Sequence, residues 1–188
     1  MILRGILKLG RGDAKGMAEF SGAKEAFSAS LAPLIAFPLV GAVITAISGD
    51  WQFAVIGLLS RLCSVLALPL IVYEFSRIFD RTSLWLRAAT ALNWCFWLVL
   101  PGIFIAAILG SVLIQAGLPM TPVETVLLGG VGFYLLWNRW FVFKAGLQLN
   151  GWQALLMLLV SLLITGLFAM LPWIGGMHLP SASMTSLP

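Results

Sequence analysis

Residues 51–87 read WQFAVIGLLSRLCSVLALPLIVYEFSRIFDRTSLWLR, and this stretch decides the fold. From Trp51 to Tyr73 the chain is almost wholly apolar, with Gln52, Ser60, Arg61 and Ser64 as its polar residues. It is long enough to cross a hydrocarbon core of about 30 Å, which takes roughly 20 helical residues. Arg77, Arg81 and Arg87 crowd the connection that follows. Basic residues are retained on the cytoplasmic side of a span, so a run closed by arginines at one end carries its own orientation.

Four further runs qualify outward from it, at about 30–48, 88–115, 122–144 and 152–174. The composition agrees: 61% of the 188 residues are apolar and 10% charged, with a mean hydropathy of +1.03, far from the soluble globular range. The fold class expected is all-α, a polytopic transmembrane bundle of five spans with an N-terminal amphipathic interfacial segment. Residues 1–29 form the basic segment, 30–174 the bundle and 175–188 a short external tail.

The charges alternate along the whole chain. Arg4, Lys8, Arg11, Lys15 and Lys24 precede the first span, and the connection at Gly49 and Asp50 has no basic residue. The third connection, Ala116 to Thr121, again lacks one; the fourth follows Arg139 and Lys144, and the tail holds only His178. This pattern places the N-terminus in the cytoplasm and the C-terminus outside, as in a bacterial inner-membrane protein. Indole rings favour the headgroup region, and tryptophan placement fits the same boundaries: Trp51 and Trp173 at the outer face, Trp85, Trp140 and Trp152 at the inner.

The first twenty residues never form a continuous signal-peptide core, because Arg4 and Lys8 split them, and the segment is expected to be retained. Arg4, Lys8, Arg11 and Lys15 share one helical face, with Ile2, Leu3, Ile6, Leu7 and Leu9 around much of the rest. They are the lipid-surface contacts of an in-plane helix on anionic lipid, each charge worth about 1 kcal/mol there. A topology signal alone is the competing reading, and the four glycines between Gly5 and Gly16 weaken an isolated helix. Residues 21–29, with Ser21 as a cap, form a second short helix feeding the first span.

Prolines punctuate the spans at Pro33, Pro38, Pro69, Pro101 and Pro172. Each in a helix interior releases a carbonyl four residues earlier. The third run is long, and Pro101 with Gly102 is expected to bend it. Pro122 starts the fourth helix after Thr121 as cap. Small residues at four-residue spacing (41, 45, 49; 102, 106, 110; 161, 165, 169) are packing stripes.

Arg61 lies about ten residues into its span, roughly 15 Å from the outer surface at the helical rise. A charge at that depth costs about 2.5 to 3.5 kcal/mol and needs a partner, a cavity or a route to the surface. The Trp97 carbonyl and Glu124 are its candidate partners. Two readings stay open: a structural tie, or a contact to an anion or lipid headgroup. Arg139 is close enough to the inner face to reach it, with Trp140 as a cation–π option and Glu74 as an ion-pair partner. Arg61, Glu124, Arg139 and Glu74 are therefore the candidate intramembrane polar site.

Catalytic groupings are missing from the sequence. His178 is the only histidine, Cys63 and Cys95 have no ligand spacing, and no phosphate loop or dinucleotide fingerprint occurs. The chain is expected to be no enzyme and to need no metal or cofactor. Its formal charge of +4 is accounted for by topology and anionic lipid rather than by nucleic acid. The lipid bilayer is the expected partner, with a second copy or another membrane protein as a further one.

The segment Phe133 to Trp137, continuing through Lys144-Ala145-Gly146-Leu147-Gln148-Leu149 to Gly151-Trp152-Gln153-Ala154, resembles the last two spans of the bacterial branch of the Yip family. Ala26-Phe27 to Pro33-Leu34 resembles its first span. The Asp-Leu-x-Gly-Pro and Gly-Tyr elements of the eukaryotic members are missing, so their partnership with small GTPases does not carry over. The resemblance implies a small membrane-organising or protein- and lipid-interaction protein without catalysis. The alternative is a transporter or channel component for an anionic or lipidic substrate, with Arg61 in the pathway and Pro101-Gly102 as its hinge.

Overall fold

The structure, a computed structural model, describes residues 2–49 and 51–174, the side chains of 172–174 excepted. The expectations for Asp50, His178, the side chains of Pro172 and Trp173 and the tail 175–188 concern positions outside the described residues. The helices are α1 (Ile2–Gly10), α2 (Lys24–Ile47), α3 (Trp51–Ile78), α4 (Trp85–Cys95), α5 (Val99–Gln115), α6 (Met120–Gly146) and α7 (Gly151–Ile174). Short 3-10 turns cover Ala14–Glu19, Thr82–Leu84 and Phe96–Leu98. Five stretches are long and apolar enough to span a membrane, and no strand occurs among the described residues. The protein is an all-helical integral membrane bundle. Residues such as Phe37, Ile44, Phe104, Val112 and Leu163 lie exposed along the spans, an apolar surface that only lipid can cover.

Several boundaries differ from the hydropathy reading, for one reason: hydropathy marks the hydrocarbon core, whereas a helix continues until its backbone is stopped. α2 starts at Lys24, so residues 24–29 are the first turns of the span and not a separate helix. Ser21 accepts the Ala23 N–H at 3.1 Å without capping α2. α3 runs on to Ile78. α6 starts at Met120 after Pro119, which puts Pro122 in its first turn; Thr121 is no cap, and its carbonyl accepts the Thr125 hydroxyl at 2.8 Å.

The third span is broken, and the break lies upstream of the proline. Pro101 occupies the first turn of α5, where a missing N–H removes no helical bond. The chain accommodates it in the preceding 3-10 turn, Phe96–Leu98. α2, α3, α7, α6 and α4 pack in that order into a ring that closes from α4 back to α2. α5 leaves the ring and packs along α6, with Gly102 against Val131 and Gly110 against Leu127, so the stripe 102, 106, 110 is that interface.

The N-terminal segment packs on the bundle. Gly5, Ile6 and Leu9 of α1, then Met17 and Phe20, are buried against α4 and α6. They join Val72, Ala88, Phe143, Leu147, Leu149, Ala154 and Met157 in one core that fills the ring at the α1 end. Lys8 faces inward enough to pair with Glu19 at 2.8 Å. That hydrogen bond holds the Glu19 carboxyl down at about 2, so the tie is intact at neutral pH and is lost only as pH falls from the usual carboxylate range towards that value.

Gly12, in the turn that stops α1, has a φ of +79° that lets Asp13 N–H return to the Lys8 carbonyl at 2.9 Å. Asp13 then accepts the Lys15 N–H at 2.9 Å and starts the 3-10 turn. A Cβ at Gly12 would also lie 3.1 Å from the Trp137 ring. Gly12→Ala is therefore expected to cost about 1–2 kcal/mol through the left-handed backbone alone. Hydrogen exchange should show it as faster exchange confined to α1 and its turn.

Candidate functional site

Helices α3 and α6 both begin at the end of the bundle opposite α1, and helical side chains lean towards their own N-terminus. Arg139, about 10 Å along α6 from Gly146, therefore leans into the bundle instead of out to the nearby surface. Arg61 lies about 15 Å along α3 from Trp51. Both line one cavity of about 570 Å³ inside the helix ring. α2 contributes Pro33, Leu34, Phe37 and Pro38, the α4 side contributes Asn93, Phe96 and Trp97, and α7 contributes Thr165 and Ala169. The 3-10 break thus borders the cavity, the one setting in which irregular backbone is tolerated at membrane depth.

Among the described residues, the two arginines are the only ionisable groups of the lining, which holds no carboxylate. Neither makes an ion pair among the described residues. Glu74 pairs with Arg77, 3.1 Å away on its own helix, and not with Arg139. The cation over Trp140 is Lys144, at 5.4 Å from the ring centroid. Glu124 is exposed at the start of α6 and does not line the cavity. The Trp97 carbonyl accepts the Val99 N–H. Of the four polar residues predicted from sequence, the fold brings together Arg61 and Arg139 and leaves Glu74 and Glu124 apart.

Asn93 is a cavity residue that the sequence reading missed, and Trp97 borders the cavity by its indole where only its carbonyl was expected to matter. Asn93 is 1% exposed and donates to Ser30 Oγ at 2.9 Å, and Ser30 donates to the Phe27 carbonyl at 2.7 Å. A buried amide inside a span was the available signal. The Trp97 indole N–H is buried without a hydrogen-bond partner, and its ring packs on Phe37 at 5.3 Å. An unsatisfied buried donor costs about 1–3 kcal/mol, so this one is poised for an acceptor. Across the ring, Ser60 donates to the Phe168 carbonyl at 2.5 Å and fixes α3 on α7. The Arg61 guanidinium lies against α2, with Nη1 3.3 Å from where a Cβ would stand at Gly41.

The cavity is shut at the α1 end by the packed core and flanked by Phe37 and Phe96, 65% and 57% exposed. α2 packs along α3 and α4, while α5 follows α6. The gap between α2 and α5 consequently faces the bilayer.

Of the residues expected at the lipid surface, Arg4, Arg11 and Lys15 are exposed, and Lys8 is drawn to Glu19. Leu3 and Leu7 stand beside the exposed arginines, 75% and 57% exposed. The carbonyls at the end of α1 are held from α6: Asn138 Nδ2 donates to Leu9 at 3.1 Å and the Tyr134 hydroxyl to Gly10 at 2.8 Å. Cys63 is exposed and Cys95 buried, both free, and no group of three metal-ligating side chains occurs among the described residues. Comparison of the chain with protein-family models, curated proteins and solved structures gave no match.

Proposed function

We propose that this protein holds the anionic headgroup of a membrane amphiphile in the cavity between α2, α3, α4, α6 and α7, a lipid-interaction role without catalysis. The observation that carries this reading is the pair Arg61 and Arg139 in one acid-free cavity. Arg61 is exposed and Arg139 half-buried, and a cation at membrane depth is poorly solvated, a cost that a bound anion relieves. The side opening towards lipid supports entry of a molecule already in the bilayer. The alternation of basic residues supports a cytoplasmic N-terminus in a bacterial inner membrane, with the exposed face of α1 on anionic lipid. This is the lipid-interaction side of the Yip-like resemblance; carriage of the amphiphile across the bilayer would be its extension.

The test is native mass spectrometry of the protein released from bilayers, with melting temperature as the check on folding. Hydrogen bonds to a charged group contribute about 1.5–3 kcal/mol each, so Arg61→Ala should lower retention of an anionic lipid roughly tenfold or more. Arg61→Lys, which keeps charge but loses the planar fork, should fall between. Unchanged retention in a double Arg61→Ala, Arg139→Ala variant that still melts cooperatively would sink the reading.

A further inference from the structure

We infer that the turn joining α1 to its 3-10 partner, residues 11–15, lies below the ordinary headgroup level and draws lipid phosphates inward to Arg11 and Lys15, thinning the bilayer locally beside α4 and α6. The cavity plays no part in this; the lipid contact of α1 proposed above is its premise.

Height comes first. The turn 116–119 between α5 and α6 is exposed, and lipid-exposed irregular backbone does not occur inside the hydrocarbon. α6 therefore enters at or beyond the far boundary of a core of about 30 Å. Tyr134 and Asn138 lie about 21 and 27 Å along α6 from Met120. In a flat bilayer they stop at least about 9 and 3 Å short of the boundary on the α1 side, and tilt of α6 only sinks them further. Their side chains lean towards the start of α6 and hold the carbonyls of Gly10 and Leu9 at 2.8 and 3.1 Å. Leu98, about 25 Å from Gln115 on the neighbouring span, agrees: its Cδ1 is 3.4 Å from where a Cβ would stand at Gly10.

The other end of the segment is higher. Phe20 packs on Gly5, and α2 starts nearby at Lys24, about 34 Å along its helix from Ile47 and so outside the hydrocarbon. α1 and the 3-10 turn after it thus form a re-entrant hairpin with residues 11–15 at its deep end.

Polarity comes second. Arg11, Asp13, Ala14 and Lys15 are all exposed. Arginine and lysine can extend their stems towards the surface, but Asp13 has a single methylene and the backbone of the turn has none. Acyl chains do not cover a carboxylate and open peptide groups, so the headgroups must come to them. The charge suits that partner. Asp13 accepts the Lys15 N–H at 2.9 Å, and Arg4, Arg11 and Lys15 make no ion pair among the described residues, which leaves their cations for phosphate oxygens.

The experiment reads height and partner separately in the full chain. For height, nitroxides are placed at Ala14→Cys in the turn and at Ala32→Cys, exposed on α2 about 22 Å from Ile47 and hence level with Tyr134. Both carry Cys63→Ser, which leaves the buried Cys95 as the other thiol, and both should melt as the wild type does. In vesicles of phosphatidylcholine and phosphatidylglycerol the label at 32 should collide with oxygen and not with a water-soluble nickel chelate. The label at 14 should reach the chelate as a label at phosphate depth does. A label at 14 as nickel-poor as that at 32 would mean that acyl chains cover the turn, and one as nickel-exposed as a label in water would mean that the turn clears the bilayer; either overturns the thinning. Nickel access at both positions would overturn its local origin.

The partner is read by melting in lipid nanodiscs. Replacing phosphatidylcholine with phosphatidylglycerol should raise the melting temperature of the wild type. Arg11→Gln with Lys15→Gln should diminish that rise, since each charge near an anionic surface is worth about a fivefold preference. An undiminished rise would overturn the lipid contact of these cations even where the label depths agree, and a diminished rise with the wrong depths would leave the contact standing without the thinning.

Discussion

Phe143→Ala should destabilise the bundle by about 3–5 kcal/mol, the range for removing a large aromatic side chain from a core that does not collapse around the void. Phe143 is 0% exposed and is the largest of the fully buried side chains. The core it belongs to draws on α1, α3, α4, α6 and α7 at once, so a helix that shifts to fill the space disturbs the packing of the others. The physics differs from that of a soluble core. Lipid tails are as apolar as the ring, so the cost comes from lost close contacts and not from exposure to water. The control follows from this argument: Phe104, 68% exposed on α5, should tolerate alanine within about 0.5 kcal/mol. Thermal or denaturant unfolding of the two variants in the same detergent separates them. Equal effects would mean that the core at the α1 end does not carry the stability assigned to it.

The spans were legible because a bilayer imposes a length and an apolar composition that a sequence cannot hide. Arg61 stood out for the same reason, as the one charge within the run from Trp51 to Tyr73. Arg139 was harder. Its distance from the helix end suggests escape to the surface, and only the shared direction of α3 and α6 shows that its side chain leans inward to the same cavity. The pairing of Glu74 was misassigned because an i, i+3 partner, Arg77, was already at hand on its own helix.

The N-terminal segment shows a different limit. Its amphipathic stripes describe a helix on lipid equally well as a helix on a protein surface, because both bury one apolar side. What distinguishes them is the pair of donors from Tyr134 and Asn138 to the carbonyls of Gly10 and Leu9, more than a hundred residues away, and no local pattern announces such a contact. The glycines that weakened the expected free helix are the positions at which it meets its own turn and α6. The break in the third span was anticipated at Pro101, but a proline disturbs the turn before it, and that displacement brings Phe96 and Trp97 to the cavity wall.

Gly146→Val should be the most disruptive single substitution at a helix crossing, costing about 3 kcal/mol, the upper part of the usual range for overpacking. A Cβ at Gly146 would stand 2.9 Å from Ala88 Cβ, 3.3 Å from Ala88 Cα and 3.2 Å from Met17 Cε. Met17 is flexible and can yield. The α4 backbone cannot, so relief requires α4 and α6 to separate, and valine adds two methyl groups to the clash. The separation would be felt further along both helices, because α4 carries Asn93 and leads to Trp97 while α6 carries Arg139. The variant should accordingly lose stability and anionic-lipid retention together. Ala88→Gly on the opposing helix removes the atom in closest conflict, so it should restore part of both in the double variant. If the double variant were no better than Gly146→Val alone, the α4–α6 approach would not be what holds the Asn93 and Arg139 sides of the cavity in place.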